Sequence, residues 1–429
     1  MTRMEQFEAL AEARASVPAE ARSFFDSFTA GADTSGLDAN TIAFAAERAE
    51  AEALAQRGDT ARVLLTDGPQ VSLLIGINQD RPFLFDSALA AAIAGGAQIR
   101  AVFHPILTVE DRKLSVIVFV IDPVADAAVR ADLVAKLEEC FASGAVAVRD
   151  WRAMLARLQS ARDTLAAQPP RGQDIEEDLA FLDWLADNHF TLLGAREYRL
   201  TEDGEHGQLK PVDGSGLGVL TDPRARVLGT TGNRNHPGLS AELRAYLDGA
   251  GPLIVTKSSA RSTVHRRVHM DYVGIKIYDA SGRFCGEHRF VGLFTSGAYS
   301  QNPRAIPLLR RKIAAVSARA GLDPKSHDGK ALAHILDTFP RDELFQVSQD
   351  ELYETVIGIT HLASLPRTRL FLRFDRFDRF ASALVFAPRD RMSAQVRADV
   401  HQILAEGLKM EEQAEMMERE IIEMVKAKL

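Results

Sequence analysis

The chain has 429 residues, 46% of them hydrophobic and 26% charged, and a formal net charge of −8. Its length suits roughly three domains of about 150 residues, its apolar runs fall short of the roughly 20 residues a membrane span needs, and its acidic balance argues against nucleic acid as the main partner. Cys140 and Cys285 are too isolated for a disulfide framework or a zinc knuckle, and "MTRMEQFEALAEARASVPAEARSFF" reads as a helix rather than a signal peptide, so a soluble cytoplasmic chain is expected.

Residues 1–65 carry helical periodicity, broken by "AGADTSGLDANT", where Asp38 or Asn40 can cap the next helix. They are expected to be an adaptor rather than a core. From Val71 the order strand, helix, strand, strand, helix, strand predicts a ferredoxin-like split βαβ over 66–155, two helices covering one face of a four-stranded antiparallel sheet. "AVAVRDW" is its expected last strand. A helical connector follows, with Pro169-Pro170 as its breaker.

Residues 156–305 are expected to form a second such unit with insertions: a short helix running into a strand at "FLDWLADNHFTLLGAREYRL", a glycine-rich "DGSGLGVL", and a hairpin around Asp279-Ala280-Ser281-Gly282. Helices dominate 306–365, and 366–408 reads as a hairpin and a helix, half of a third unit. In 409–429 the spacing of Met410, Ala414, Met417, Ile421 and Met424 makes one apolar stripe, which either covers the adjacent sheet or serves self-association. The expected fold class is therefore α+β, tandem ferredoxin-like sandwiches with a helical connector and a helical tail.

The corner "NQDRPFLFDS" places a helix N-terminus beside the end of a strand. Pro82 suits the first helical position, Asp80 favours the positive helix end, and Gly95-Gly96 stops the helix. Backbone N–H groups at such a corner can bind a carboxylate, although a well-made turn explains the same residues.

"QDRPFLFDSALAAAI" resembles the Asp-Arg-Pro-Gly-Leu corner of ACT domains, small regulatory modules that often bind amino acids, with Phe83 where most of them carry glycine. Over about Val71 to Leu408 the chain is similar to the N-terminal region of the large bacterial NAD-specific glutamate dehydrogenases. The resemblance is carried by "FLDWLADNHFTLLGAREY", "VTKSSARSTVHRRVHMDYVGIK", "GEHRFVGLFTSGAYSQNPRAIPLLRRK", "GLDPKSHDGKALAHILDTFPRDELFQ" and "FDRFASALVFAPRDR". It implies ACT-type domains, an amino-acid effector at Asp80, Arg81, Pro82 and Phe83, a catalytic dehydrogenase region beyond position 429 as partner, and a homo-oligomer. The tail after Leu408 does not resemble the family's continuation. NAD is implied for the full-length enzyme, with no cofactor held by this chain.

Hydride transfer needs a glycine-rich turn between a strand and a helix, and an acidic residue about 20 positions on. The nearest match, Gly214, Gly216 and Gly218, has Val219 where the third glycine of that fingerprint belongs, and is read as a turn. No catalytic residue is expected. The strongest charged constellation is Lys257, Arg261, His265 and Arg267, with His288 and Arg289 on the facing strand; strand alternation puts His265 and Arg267 on one face. Salt bridges and interfaces, an anionic effector, and catalysis or nucleic acid are its three readings, the first favoured. His265 and His269 are too far apart on a strand to share a metal, and no metal site is expected. "RFDRFDRF" is read as a strand turning through a hairpin, its aspartates offsetting the arginines.

Overall fold

The computed structural model describes residues 3–68, 70–109, 111–201, 207–222, 224–225, 241–249, 251–364, 367–375, 380–388 and 393–407. The chain divides into two units, Met1–Trp151 with Arg261–Val268, and Arg152–Ala260 with His269–Leu429.

The first unit contains α1 (Arg3–Ser16), α2 (Arg22–Thr29), α3 (Ala39–Ala55), β1 (Arg62–Asp67), β2 (Ser72–Gln79), α4 (Leu84–Ala94), β3 (Ile99–Phe103), β4 (Ile106–Val109), β5 (Arg112–Ile121) and the first part of α5 (Ala127–Ala167). Asp38 caps α3, its carboxylate accepting from the Thr41 N–H at 2.7 Å. The strands pair antiparallel in the order β1-β2-β5-β3, with β4 also on β5. Nearly every residue of β2 and β5 is buried, because both faces of the sheet are covered. Leu73, Ile75, Ile77, Val116, Val118 and Val120 face Phe25, Phe28, Ile42 and Ala49 of the N-terminal helices. Leu74, Ile117, Phe119 and Ile121 face Leu84 and Ala88 of α4 and Leu137 and Phe141 of α5. Gly76 allows α5 to approach, since a β-carbon there would stand 2.7 Å from the Phe141 ring.

Two expectations are corrected here. Residues 1–65 are not an adaptor: α1–α3 form a full layer of core, and their last residues enter β1. "AVAVRDW" is not a strand but lies inside α5, whose buried positions Leu133, Leu137, Cys140, Phe141 and Ala147 recur at helical spacing. Four alternating Ala and Val residues are too short a run to distinguish the two periods. β1, which precedes the split βαβ, takes the edge beside β2 that the expected last strand would have occupied.

The second unit continues from α5 with α6 (Glu176–Trp184), β6 (Phe190–Thr201), β7 (Gln208–Pro211), β8 (Leu217–Gly218), α7 (Ala241–Gly249), β9 (Leu253–Arg261), β10 (His269–Tyr278) and β11 (Phe284–Phe294). It then runs through α8 (Ser296–Ser300), α9 (Leu309–Ala320), α10 (His327–Thr338), α11 (Arg341–Gln346), α12 (Gln349–Ser364), β12 (Arg369–Phe374), β13 (Ala381–Phe386) and α13 (Ala394–Gly407). The large sheet has the order β7-β6-β11-β10-β9, with β8 on β6.

That order corrects the expected second ferredoxin-like unit. A split βαβ would set the first strand between the third and fourth, whereas β6 pairs with β11, the last long strand, and β9, β10 and β11 follow one another across the sheet. Ala195, Val273, Ile275 and Phe290 share a core with Leu158 of α5, Phe181 of α6, Ile313 of α9, Leu336 of α10 and Val356 of α12. The opposite face carries Tyr198, Tyr272, Lys276, Glu287 and Arg289, all buried or nearly so. The hairpin around Asp279–Gly282 is present, with Gly282 at φ 77°. Helices fill 309–364, and β12 pairs antiparallel with β13 as the expected hairpin. The apolar stripe from Met410 to Met424 lies outside the described residues.

Candidate functional site

The strand-to-helix corner is built by Phe83, the N-cap of α4, at φ 72° and ψ 0°. The position that carries glycine in the resembling corners thus keeps a glycine conformation while bearing a phenylalanine, a strained choice for a bulky side chain. Pro82 stands one residue before the cap, not at the first helical position, because the left-handed turn falls between them and α4. Ser87 fastens the corner: its hydroxyl donates to the Phe83 carbonyl at 2.5 Å and accepts from the His265 N–H at 2.7 Å. His265, also left-handed at φ 71°, lays its ring 5.2 Å from that of Phe83 and its Nδ1 3.3 Å from Asp86. Asp80 and Pro82 are exposed, and Arg81 donates to the Gln79 side chain at 2.8 Å.

The basic constellation is divided between the two units. His265 and Arg267 lie in the loop Arg261–Val268, not on a strand, because Ser262 closes that loop through its N–H to the Val268 carbonyl and its hydroxyl to Val264. Arg261, His265 and Arg267 belong to the first unit; Lys257, His288 and Arg289 belong to the second. The Arg267 Nη1 is buried with no hydrogen-bond partner among the described residues. Lys257 is buried between Asp271 at 2.7 Å and Asp342 at 3.4 Å, and Asp342 accepts from the Tyr299 hydroxyl. Burial pushes the Asp271 carboxyl up, Lys257 pulls it down, and Asp342 pushes it up again. Arg289 bonds Glu287 at 3.0 Å and covers the Tyr198 ring at 3.9 Å. Burial alone would lower its pKa, but Tyr272, Glu287 and Tyr198 hold it above the ordinary value. Burial lowers the pKa of His288. Lys257 and Arg289 are thus each held by carboxylates inside the second unit.

The glycines of "DGSGLGVL" are likewise structural. A β-carbon on Gly216 would stand 2.3 Å from the Leu220 carbonyl, and one on Gly218, at φ 59°, 2.1 Å from that of Leu193. Ser326 caps α10, accepting from the Gly329 N–H at 2.9 Å.

A cavity of about 290 Å³ opens in the second unit, between β9, α9, the end of α11 and the β12 strand. Leu253, Val255 and Val347 make its apolar wall. Lys312 holds the end of α11 by donating to the carbonyls of Leu344, Phe345 and Val347, and Arg373 is paired with Glu343. Leu308, on the cavity wall, sits at φ 65° and ψ −47°, its N–H donating to Glu177 at 2.9 Å. Asp178 and Arg311 stand 3.6 Å apart on the same wall, the carboxylate buried and the guanidinium half-exposed. Burial pushes the Asp178 carboxyl up to about 6 against the pull of Arg311. The Tyr278 hydroxyl, buried and without a hydrogen-bond partner among the described residues, is pushed up by burial and by Asp178.

The sequence reading missed this cavity. Its one signal is an acid on an apolar helix face, for Asp178 shares its side of α6 with Phe181 and Leu182, three and four positions on.

Comparison with known proteins gives two family matches. Residues 306–364 match the family described as glutamate dehydrogenase, helical motif 1, and residues 369–427 that described as glutamate dehydrogenase, ACT2 domain. The second takes in 409–427, which corrects the expectation that likeness to this family ends at Leu408. The chain is 35% identical over 356 residues to the NAD-specific glutamate dehydrogenase of Halomonas elongata, covering 77% of this chain and 22% of that protein. It is 35% identical over 265 residues to the NAD-specific glutamate dehydrogenase of Pseudomonas aeruginosa (61% and 16%). That of Mycobacterium tuberculosis is 33% identical over 236 residues (55% and 13%). The chain thus spans about a fifth or less of the length of these relatives.

Proposed function

The chain belongs to the family of the large NAD-specific glutamate dehydrogenases, and from that premise we propose that it is a regulatory and assembly segment of such an enzyme. Glutamate oxidation to 2-oxoglutarate, with NAD, is then the work of a catalytic region outside these 429 residues. The observation that carries this reading is the ACT2-domain match at 369–427, directly after the helical motif. The side chains support it: Lys257 and Arg289 of the second sheet, cations of the kind a substrate carboxylate needs, are paired inside the fold with Asp271, Asp342 and Glu287. An amino acid is the effector class, acting through a difference in affinity between two arrangements of the domains. The partners are the catalytic region and further copies of the chain. Leu370, Leu372 and Phe374, exposed on β12, favour such contacts.

The test is NADH formation from glutamate and NAD by the isolated 429-residue protein. No turnover is expected. Turnover that scales with protein concentration would replace this reading with that of an oxidoreductase in its own right.

A further inference from the structure

In the cavity beside Asp178 and Arg311, opposite charges meet a ligand-sized space. Its volume, about 290 Å³, lies at the small end of the range for ligand sites, sufficient for a small metabolite and too small for a dinucleotide. Of the three cations on its wall, Lys312 is committed to carbonyls and Arg373 to Glu343, which leaves Arg311, loosely paired with Asp178, as the group able to receive a carboxylate. Asp178 is the buried member of that pair.

Two opposite charges 3.6 Å apart select for a ligand that carries both signs at the same separation. A lone carboxylate would satisfy Arg311 while weakening its hold on Asp178, and a lone ammonium would do the converse. A zwitterion meets both at once, replacing one loose ion pair with two. The wall is set in advance: Glu177 pins Leu308 in a conformation that a leucine rarely adopts, and strain of this kind gathers at binding sites.

We propose that this cavity binds a zwitterionic α-amino acid, with its carboxylate on Arg311, its ammonium on Asp178 and its side chain against Val255 and Val347. The proposal rests on the amino-acid effector reading above and moves the site from the Asp80–Phe83 corner into the second unit. Arg311 contributes a planar fork matched to a carboxylate, and its exposure lets it be substituted without opening the core.

Isothermal titration calorimetry on the 429-residue protein tests it, with L-leucine, L-glutamate and L-lysine as probes of apolar, acidic and basic side chains. Isopentylamine and 4-methylpentanoate serve as leucine analogues lacking the carboxylate and the ammonium. At least one amino acid is expected to bind, with both analogues ten-fold or more weaker than leucine if leucine is the ligand. Arg311→Gln and Asp178→Asn are each expected to weaken binding ten-fold or more, and Arg311→Lys less so, with far-UV circular dichroism establishing that each is folded. Equal binding of an analogue overturns the zwitterion. Binding lost in Arg81→Gln but kept in Arg311→Gln overturns the cavity and leaves the effector reading standing. Absence of heat with every amino acid overturns both.

Discussion

Phe83 shows how one residue can hold a conformation that its chemistry resists. A left-handed φ costs a residue with a β-carbon about 1–2 kcal/mol, and a half-buried aromatic ring recovers a similar amount by packing. Phe83→Gly is therefore expected to leave stability within about 1 kcal/mol, strain relief offsetting the lost ring contact with His265. Phe83→Val adds branching at the β-carbon in the same backbone region and is expected to cost more than about 2 kcal/mol. Urea unfolding of the two variants measures the ordering, and equal losses would show that the ring, not the backbone, sets the cost. Asp178 makes the opposite point about a charge. Its carboxyl rises from 3.8 to about 6 on folding, so its contribution is most favourable below the unfolded value and is lost as pH rises through the folded one. Asp178→Asn is always neutral, and it is expected to raise stability at pH 7.5 by something on the order of 2 kcal/mol, with the gain vanishing near pH 4. Melting curves at the two pH values would reject this if the gain did not depend on pH.

At the scale of elements, buried pairs fasten strands to helices. Lys257 of β9 bonds Asp271 of β10 and Asp342 of α11, and Arg373 of β12 bonds Glu343 of the same helix. α11 is six residues long and too short to be stable by itself, so the charged anchors at its two neighbouring acids help to position it. Lys257→Met leaves Asp271 and Asp342 without their cation and is expected to destabilise by about 3–5 kcal/mol at pH 8. The loss should shrink at pH 5, because burial has already raised the Asp271 carboxyl and a proton then replaces the ammonium. Urea unfolding at both pH values decides it, and a loss independent of pH would mean that packing, not charge, is what the lysine supplies. α5 teaches a different lesson: its 41 residues contain Gly144 and an Ala-Val alternation, yet it runs unbroken because its buried positions keep helical spacing.

For the whole molecule, each of the two units buries a sheet against helices, and the family matches fall in the second. Among the described residues no helix is long and apolar enough to cross a membrane. The absence of turnover expected for this chain, and the binding expected at its cavity, both test the proposed division of labour between a sensing region and a reacting one. Several parts of this were legible in the sequence. The β10–β11 hairpin is written in its turn residues, the helices of 309–364 in their apolar spacing, the α3 cap in the Asp38-to-Asn40 stretch, and the family likeness in long ordered blocks. These are local signals, set within a few residues of where they act. Pairing is not local. Which strand fills the edge beside β2, which neighbour β6 takes, whether Lys257 is exposed or locked between two carboxylates, and that Asp178 and Arg311 share a cavity wall all depend on residues far apart in the chain. Periodicity names the face a side chain occupies, and only the packed structure decides what that face meets.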